Sequence, residues 1–271
     1  MTAPTIHRLR HEGLLVLRWG RGGPDPVVAL HGFTGHGLSF ENLGRAVAHG
    51  GGSLWAPVLP GHDPLSPPLE GEGFVDAARR LGRILEAMLD EPCRLVGYSM
   101  GARVALVLAL ERPELVRALL LVGVHPGLEP AARERRRAEE RRWQSRLRDQ
   151  GLLAFLSWWE SRPLFASQAR LDPGVRGRQN RLRRRHRAAA LAGALDTLGL
   201  GVMPACLGRI GTMNLPMHLA VGEDDRKFVD LGRQIARATD GRATLEVVPG
   251  AGHNLVLEHP ELLLRWMESR P

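Results

Sequence analysis

The chain is poor in the residues that would place it in several whole classes of protein. Of its 271 residues only Cys93 and Cys206 are cysteines. That is too few for a disulfide scaffold or a cysteine-rich metal site, so both are expected as reduced thiols in the core. No uninterrupted apolar run approaches the roughly 20 residues that span a bilayer. The N-terminal stretch lacks the basic start, apolar centre and small-residue cleavage site of an export signal. A cytoplasmic protein without a membrane span is therefore expected. Internal repeats and low-complexity linkers are also missing. Lysine is nearly absent: Lys227 is the only one, so the 37 basic residues set against 29 acidic ones, a net charge of +8, are almost all arginine. GC-rich coding explains such a bias without any function. Arginine nevertheless has consequences, because its planar fork grips carboxylates and phosphates in a bidentate way. A basic surface also attracts nucleic acid non-specifically, but no nucleic-acid module accompanies the basic runs, so no specific nucleic-acid partner is expected.

What is present is an ordinary apolar content of 44%, enough for a sizeable core in one large α/β domain or one domain carrying an insertion. Short apolar runs at 14–19, 26–30, 53–58, 95–96, 118–124, 217–221 and 243–248 read as strands. Those at 40–49, 74–89, 104–110 and 260–270 read as helices. Strands alternating with helices at this spacing call for a mostly parallel central sheet with helices on both faces. The alternation stops at residue 129. From there to residue 209 only charged and apolar helical segments follow, which reads as a helical lid inserted between two strands. The expected division is a core built from 1–128 and 210–271 around a lid at 129–209. Arginines crowd the lid in two runs, 133–148 and 176–187, whose simplest reading is a solvated helix face.

The chemistry gathers at strand ends. Gly97-Tyr98-Ser99-Met100-Gly101 has the G-x-S-x-G form of a nucleophile elbow, in which a serine sits in a strained turn between strand and helix and its neighbours two positions away must lack side chains. In a glycine-rich chain the pentapeptide is weak evidence alone. The strand before it and the apolar helix after it supply the required context. Gly222-Glu223-Asp224-Asp225 follows the strand at 217–221, and Gly252-His253-Asn254 follows the last strand. Serine, acid and histidine thus occur in the chain order of one hydrolytic constellation, with Asp224 and Asp225 both open as the acid. His253 would take the Ser99 hydroxyl proton and the aspartate would hold the imidazole. His31, at a strand end before Gly32-Phe33, is expected to be structural. The amides of Phe33 and Met100 are placed to form an oxyanion hole.

These motifs resemble the α/β-hydrolase superfamily. Several further stretches resemble one branch, the 2-succinyl-6-hydroxy-2,4-cyclohexadiene-1-carboxylate synthases of menaquinone (vitamin K2) biosynthesis. They include His31-Gly32-Phe33, Pro60-Gly61-His62, Tyr98 and Arg103 around the serine, His125-Pro126-Gly127-Leu128, Trp159 through Pro163-Leu164-Phe165-Ala166-Ser167, and Asp225-Arg226-Lys227-Phe228. The similarity spans nearly the whole chain, lid included. It implies an α/β-hydrolase fold and a lyase that expels pyruvate from an anionic cyclohexene, with no metal or organic cofactor. By position it implies Ser99, Asp225 and His253 as the triad, Phe33 and Met100 as the oxyanion hole, Arg103, Arg136 and Arg183 on substrate carboxylates, and Tyr98 and Trp159 lining the pocket. The small polycarboxylate substrate fits a site rich in fixed cations. Ala102, where the family often has glycine, and the apolar 255–257 after the histidine depart from the pattern.

Two other readings compete. A serine hydrolase of esters, thioesters or C–C bonds would use the same triad through an acyl-enzyme, and a basic binding protein would use only the scaffold.

Overall fold

A computed structural model describes residues 5–268. Eight strands form one sheet: β1 (Ile6–His11), β2 (Leu14–Trp19), β3 (Val27–Leu30), β4 (Leu54–Pro57), β5 (Cys93–Tyr98), β6 (Val116–Val122), β7 (Met217–Gly222) and β8 (Ala243–Val248). Their order is β1-β2-β4-β3-β5-β6-β7-β8. β2 pairs antiparallel with β1 and β4, and every other pairing is parallel. The period of two along the central strands creates two separate cores. Val28, Leu30, Leu95, Leu119, Leu121 and Leu219 face one side, while Val27, Ala29, Val96, Leu120, Val122 and Ala220 face the other.

Helices cover both faces, which is why these strands are apolar throughout rather than alternating. α1 (Glu41–His49) and α10 (Pro260–Glu268) pack on one side. α2 (Phe74–Met88) and α3 (Met100–Glu111) pack on the other, and α3 is so deeply placed that ten consecutive residues, 100–109, are buried. Between β6 and β7 the described chain holds no strand. It forms α4 (Pro130–Glu160), a 3₁₀ segment over Pro163–Arg170, then α5 (Pro173–Arg183), α6 (Ala188–Leu198) and the single turn α7 (Leu207–Ile210). α4 breaks at Gly151, whose φ of 77° lies in the left-handed region. α8 (Arg226–Ala238) and the single turn α9 (Leu255–Glu258) complete the chain.

Three local differences from the sequence reading have simple causes. β1 was not expected, because it is an edge strand whose residues are all at least partly exposed and carry no apolar face. α8 was not expected either, because its buried side is only Val229, Gly232 and Ile235 among charged residues. The strand expected at 118–124 starts two residues earlier and ends at Val122, where Gly123 turns with φ 60°. The tail of the helix expected at 260–270 lies outside the described residues. Cys93 and Cys206 are buried free thiols; burial pushes the first up to about 12 and the second to about 11.

Candidate active site

β5 delivers Ser99 to the carboxyl end of the sheet. Its backbone takes φ 52° and ψ −107°, a conformation rarely adopted by side-chain-bearing residues. Such strain costs on the order of 1–3 kcal/mol and persists only where the surroundings impose it. Here the buried α3 and the hydrogen bond from Ser99 N to Val122 O (2.8 Å) impose it. The bracketing glycines are required sterically. A Cβ on Gly97 would sit 2.5 Å from Ala102 Cα, and one on Gly101 would overlap the Leu30 carbonyl oxygen.

Two further loops converge on this hydroxyl. His253, between β8 and α9, directs Nε2 at Ser99 Oγ (2.9 Å) and Nδ1 at Asp225 Oδ2 (2.6 Å). Because a carboxylate only accepts, Nδ1–H donates to Asp225, which leaves Nε2 free to accept from the serine. The His253 and Asp225 side chains are 1% and 8% exposed. The structure also separates the two adjacent acids. Asp224 points outward, 46% exposed, and pairs with Arg170 (2.7 Å). Gly123 gives the imidazole its room, since a Cβ there would lie 2.8 Å from His253 Cε1. Phe228 packs on the ring with centroids 4.5 Å apart, and Tyr98 stands at 5.5 Å. This relay can draw the proton from Ser99 Oγ and hold the resulting imidazolium.

The loop after β3 runs directly past the serine. A Cβ on Gly32 would lie 3.4 Å from Ser99 Cβ, so the adjoining Phe33 reaches the same cavity that Ser99 and Met100 line. Met100 opens α3, where amides of the first turn have no helical acceptor. His31 has the structural role expected of it. Its Nδ1 donates to Gly32 O (2.9 Å) and its Nε2 accepts from Leu59 N (3.0 Å), tying the β3 loop to the turn after β4.

Above the serine lies a cavity of about 240 Å³. Arg103, Arg136, Arg162 and Lys227 line it, with Glu140 as the acid among them. Arg103 is buried beneath the insertion and donates to Leu198 O (2.9 Å). Burial lowers its guanidinium to about 10, Glu140 opposes that shift, and Arg136 adds to it. Lys227 is likewise lowered by burial and then by Arg136. Glu140 accepts from the amides of Leu200 (2.8 Å) and Gly201 (3.0 Å) and from Arg136 Nε (2.8 Å), so it pins α4 to the end of α6 and aims Arg136. Arg136 also lies over the Trp143 ring at 4.3 Å. Trp159 forms part of the roof, with its indole Nε1 buried and unpartnered. His125 shares the cavity; burial, then Lys227, Arg103 and Arg136 push it down to about 3, so it is neutral.

The cavity thus unites Ser99, His253, Phe33, Met100, Tyr98, Arg103, Arg136 and Trp159 from among the residues expected on sequence. Asp225 supports it from behind the histidine. Arg183 is placed elsewhere: it is buried, pairs with Glu160 (2.9 Å) and lines a neighbouring cavity. Sequence reasoning missed Arg162, Lys227, Glu140 and His125 as lining groups. Arg162 sits within a quoted motif and His125 opens another, but Glu140 had no local signal. Neither arginine run is a purely solvated face, since Arg136 and Arg183 turn inward. Among the described residues no cluster of three or more His, Cys, Asp or Glu is placed to hold a metal ion. No described helix is long and apolar enough to cross a membrane.

Comparison with known proteins bears on the fold and the family. A family model described as alpha/beta hydrolase fold matches residues 25–260. A Bacillus subtilis protein named putative 2-succinyl-6-hydroxy-2,4-cyclohexadiene-1-carboxylate synthase is 32% identical over 246 residues, covering 90% of this chain and 89% of its own. An Escherichia coli O1:K1 synthase of the same name is 33% identical over 242 residues, covering 89% and 91%. The solved structure of MenH from S. aureus superposes with a TM-score of 0.86 at 26% identity, covering 93% of this chain and 96% of that one. With the family model and near full-length similarity in agreement, the chain belongs to the α/β-hydrolase fold family and, within it, to the 2-succinyl-6-hydroxy-2,4-cyclohexadiene-1-carboxylate synthase family.

Proposed function

We propose that this chain is a carbon–oxygen lyase of menaquinone biosynthesis, working in the cytoplasm. It eliminates pyruvate from 2-succinyl-5-enolpyruvyl-6-hydroxy-3-cyclohexene-1-carboxylate to give 2-succinyl-6-hydroxy-2,4-cyclohexadiene-1-carboxylate. The observation that carries the reading is the company Ser99 keeps: a hydrogen-bonded Ser99–His253–Asp225 relay opening into a cavity lined by Arg103, Arg136, Arg162 and Lys227. A substrate with three carboxylates needs several fixed cations in a water-poor site, where guanidinium forks hold it at low reorganisation cost.

In this reading Ser99 is a base rather than an acylating nucleophile. As its own proton moves to His253 Nε2, Oγ takes a proton from a ring carbon. The C–H electron pair moves through the ring, forms the new double bond and breaks the bond to the enolpyruvyl oxygen. The proton then returns from the relay to the departing enolpyruvate, which leaves as pyruvate. The amides of Phe33 and Met100 hold the negative charge developing on the succinyl carbonyl oxygen. Residues 129–209 act as a lid over a core formed by 1–128 and 210–271, bringing Arg136, Arg162 and Trp159 to the substrate.

The test is pyruvate release from the enolpyruvyl precursor by the purified protein, beside hydrolysis of aryl esters. Arg103→Ala should lower kcat/KM for pyruvate release by about 10²-fold or more, since it removes a buried charge-assisted contact. Ester hydrolysis without pyruvate release, insensitive to Arg103→Ala, would instead assign the relay to acyl transfer.

A further inference from the structure

The loop at 31–35, after β3, carries a strain that the relay does not explain. Thr34 takes φ 62°, in the left-handed region that a β-branched residue avoids. Its side chain is buried and its hydroxyl has no partner among the described residues, so no side-chain bond offsets the strain. Such a conformation persists only where the surroundings impose it. The residue before it is Phe33, whose amide is assigned to the oxyanion hole. A hydrogen bond from Gly35 N to Gly32 O (2.9 Å) closes the loop, and His31 ties its start to the turn after β4.

A further restraint comes from the insertion. His186, in the link between α5 and α6, is buried. Its Nε2 lies 3.0 Å from the carbonyl oxygen of Thr34 and its Nδ1 2.8 Å from that of His62. Both oxygens are acceptors, so the neutral ring donates to one of them and the imidazolium to both. Burial lowers the pKa of this ring; the Thr34 and His62 carbonyls and then Asp63 oppose that shift, and Arg183 adds to it. The ring packs edge-on with His62 at 5.5 Å between centroids, and His62 packs in the same way with Phe33 (5.8 Å) and His31 (4.8 Å). Insertion and turn meet closely here, since a Cβ on Gly61 would overlap the carbonyl oxygen of Ala190 in α6. His186 does not line the Ser99 cavity, so any effect it has on the chemistry passes through the loop.

We infer that His186 is a positioning residue for the oxyanion hole: its Nε2–H holds the Thr34 carbonyl, keeps Thr34 left-handed and so aims the Phe33 amide at the Ser99 site. The inference rests on the reading of the Phe33 and Met100 amides as that hole, and it applies whether the relay expels pyruvate or cleaves esters. Because the loop is pinned at His31 and closed at Gly35, a change of φ at Thr34 is taken up by residues 32 and 33, including the peptide that bears the Phe33 N–H. A donor displaced by about 1 Å in this way can cost about 10²-fold in rate. Glycine adopts the left-handed region freely, so a glycine at 34 needs no such restraint. That separates positioning from packing.

The experiment is a double-mutant cycle between His186 and Thr34 in the whole protein. It is read by kcat and KM for pyruvate release and for aryl-ester hydrolysis, and by the rate at which a fluorophosphonate labels Ser99, with Tm as the folding control. His186→Leu fills the space without an N–H and should lower kcat and labelling by about tenfold or more, with KM changed by less than about threefold. His186→Gln returns an N–H donor and should come within about threefold of wild type. In the Thr34→Gly background, the His186→Leu change should cost less than about threefold. If His186→Leu does not fold, His186→Met, whose flexible chain fills irregular space, takes its place in the cycle. An equal loss in both backgrounds, no rescue by His186→Gln, or a change in KM alone gives His186 a structural role only and overturns the inference. Wild-type protein that hydrolyses esters and takes the label without releasing pyruvate overturns the lyase reading instead, and the cycle is then read on the ester. Wild-type protein in which Ser99 neither turns over nor labels overturns the relay, and this inference with it.

Discussion

Asp225→Asn isolates the electrostatic part of the relay from its shape. The carboxylate and the His253 ring lie 2.6 Å apart between heavy atoms, with their side chains 8% and 1% exposed. When His253 takes the serine proton, a positive charge appears about 4 Å from the centre of the carboxylate charge. At an effective dielectric of about 20 that attraction is about 4 kcal/mol, which converts to about 10³-fold in rate. The amide also turns an N–H toward Nδ1 or forces the other tautomer, with Nε2 protonated and unable to accept from Ser99. Together these bring the expected loss in kcat to about 10³–10⁴-fold. Folding should be little affected, because the Asp225 side chain makes no capping bond to α8. Asp224→Asn removes only an exposed pair with Arg170 and should change kcat by less than about twofold. Steady-state pyruvate release, with Tm as the folding control, measures both. If Asp225→Asn keeps roughly a tenth or more of kcat, or Asp224→Asn is the more damaged, the assignment of the acid is wrong.

Gly123→Ala should displace the His253 ring, whose Cε1 would lie 2.8 Å from the new Cβ, and should strain a residue with φ 60°. A loss of at least about tenfold in kcat with a modest fall in Tm is expected, and wild-type kcat would exclude this positioning role. Acid should destabilise the protein through histidines that burial keeps neutral: His62 and His125 are lowered to about 3 and His36 to about 4. Between those values and about pH 6.5 the unfolded chain binds protons that the native protein does not, so stability falls as pH falls, by about 1.4 kcal/mol per pH unit for each site. Thermal melts from pH 7.5 to 5 should show a steep decline that His62→Gln makes shallower; a flat profile would contradict it. Glu140→Ala should leave the Leu200 and Gly201 amides without their acceptor and Arg136 without its close partner, at a cost of about 3–5 kcal/mol read by denaturant titration. A change under about 1 kcal/mol would refute the pinning of α4 to α6.

Local residue pattern sets the frame. Apolar strands of four to seven residues, alternating with helices, dictate a sheet buried on both faces, and Gly97 and Gly101 dictate where a serine can stand above it. Both are local requirements, met by residue size and period, so they are visible without the fold. The order Ser99, acid, His253 was legible for the same reason: each member follows directly on a strand. Packing between distant segments sets the rest. Asp224 and Asp225 are neighbours in sequence, and only the turn from β7 into α8 sends one to solvent and the other to His253. Arginines in a run of like residues cannot be ranked by spacing. Packing of the insertion on the core turns Arg136 to the Ser99 cavity, buries Arg183 against Glu160 and leaves most others in water. Glu140 acquires its role from amides some 60 residues away. Charge type is written in the sequence, but desolvation, which decides what a charge does, is a property of the folded whole.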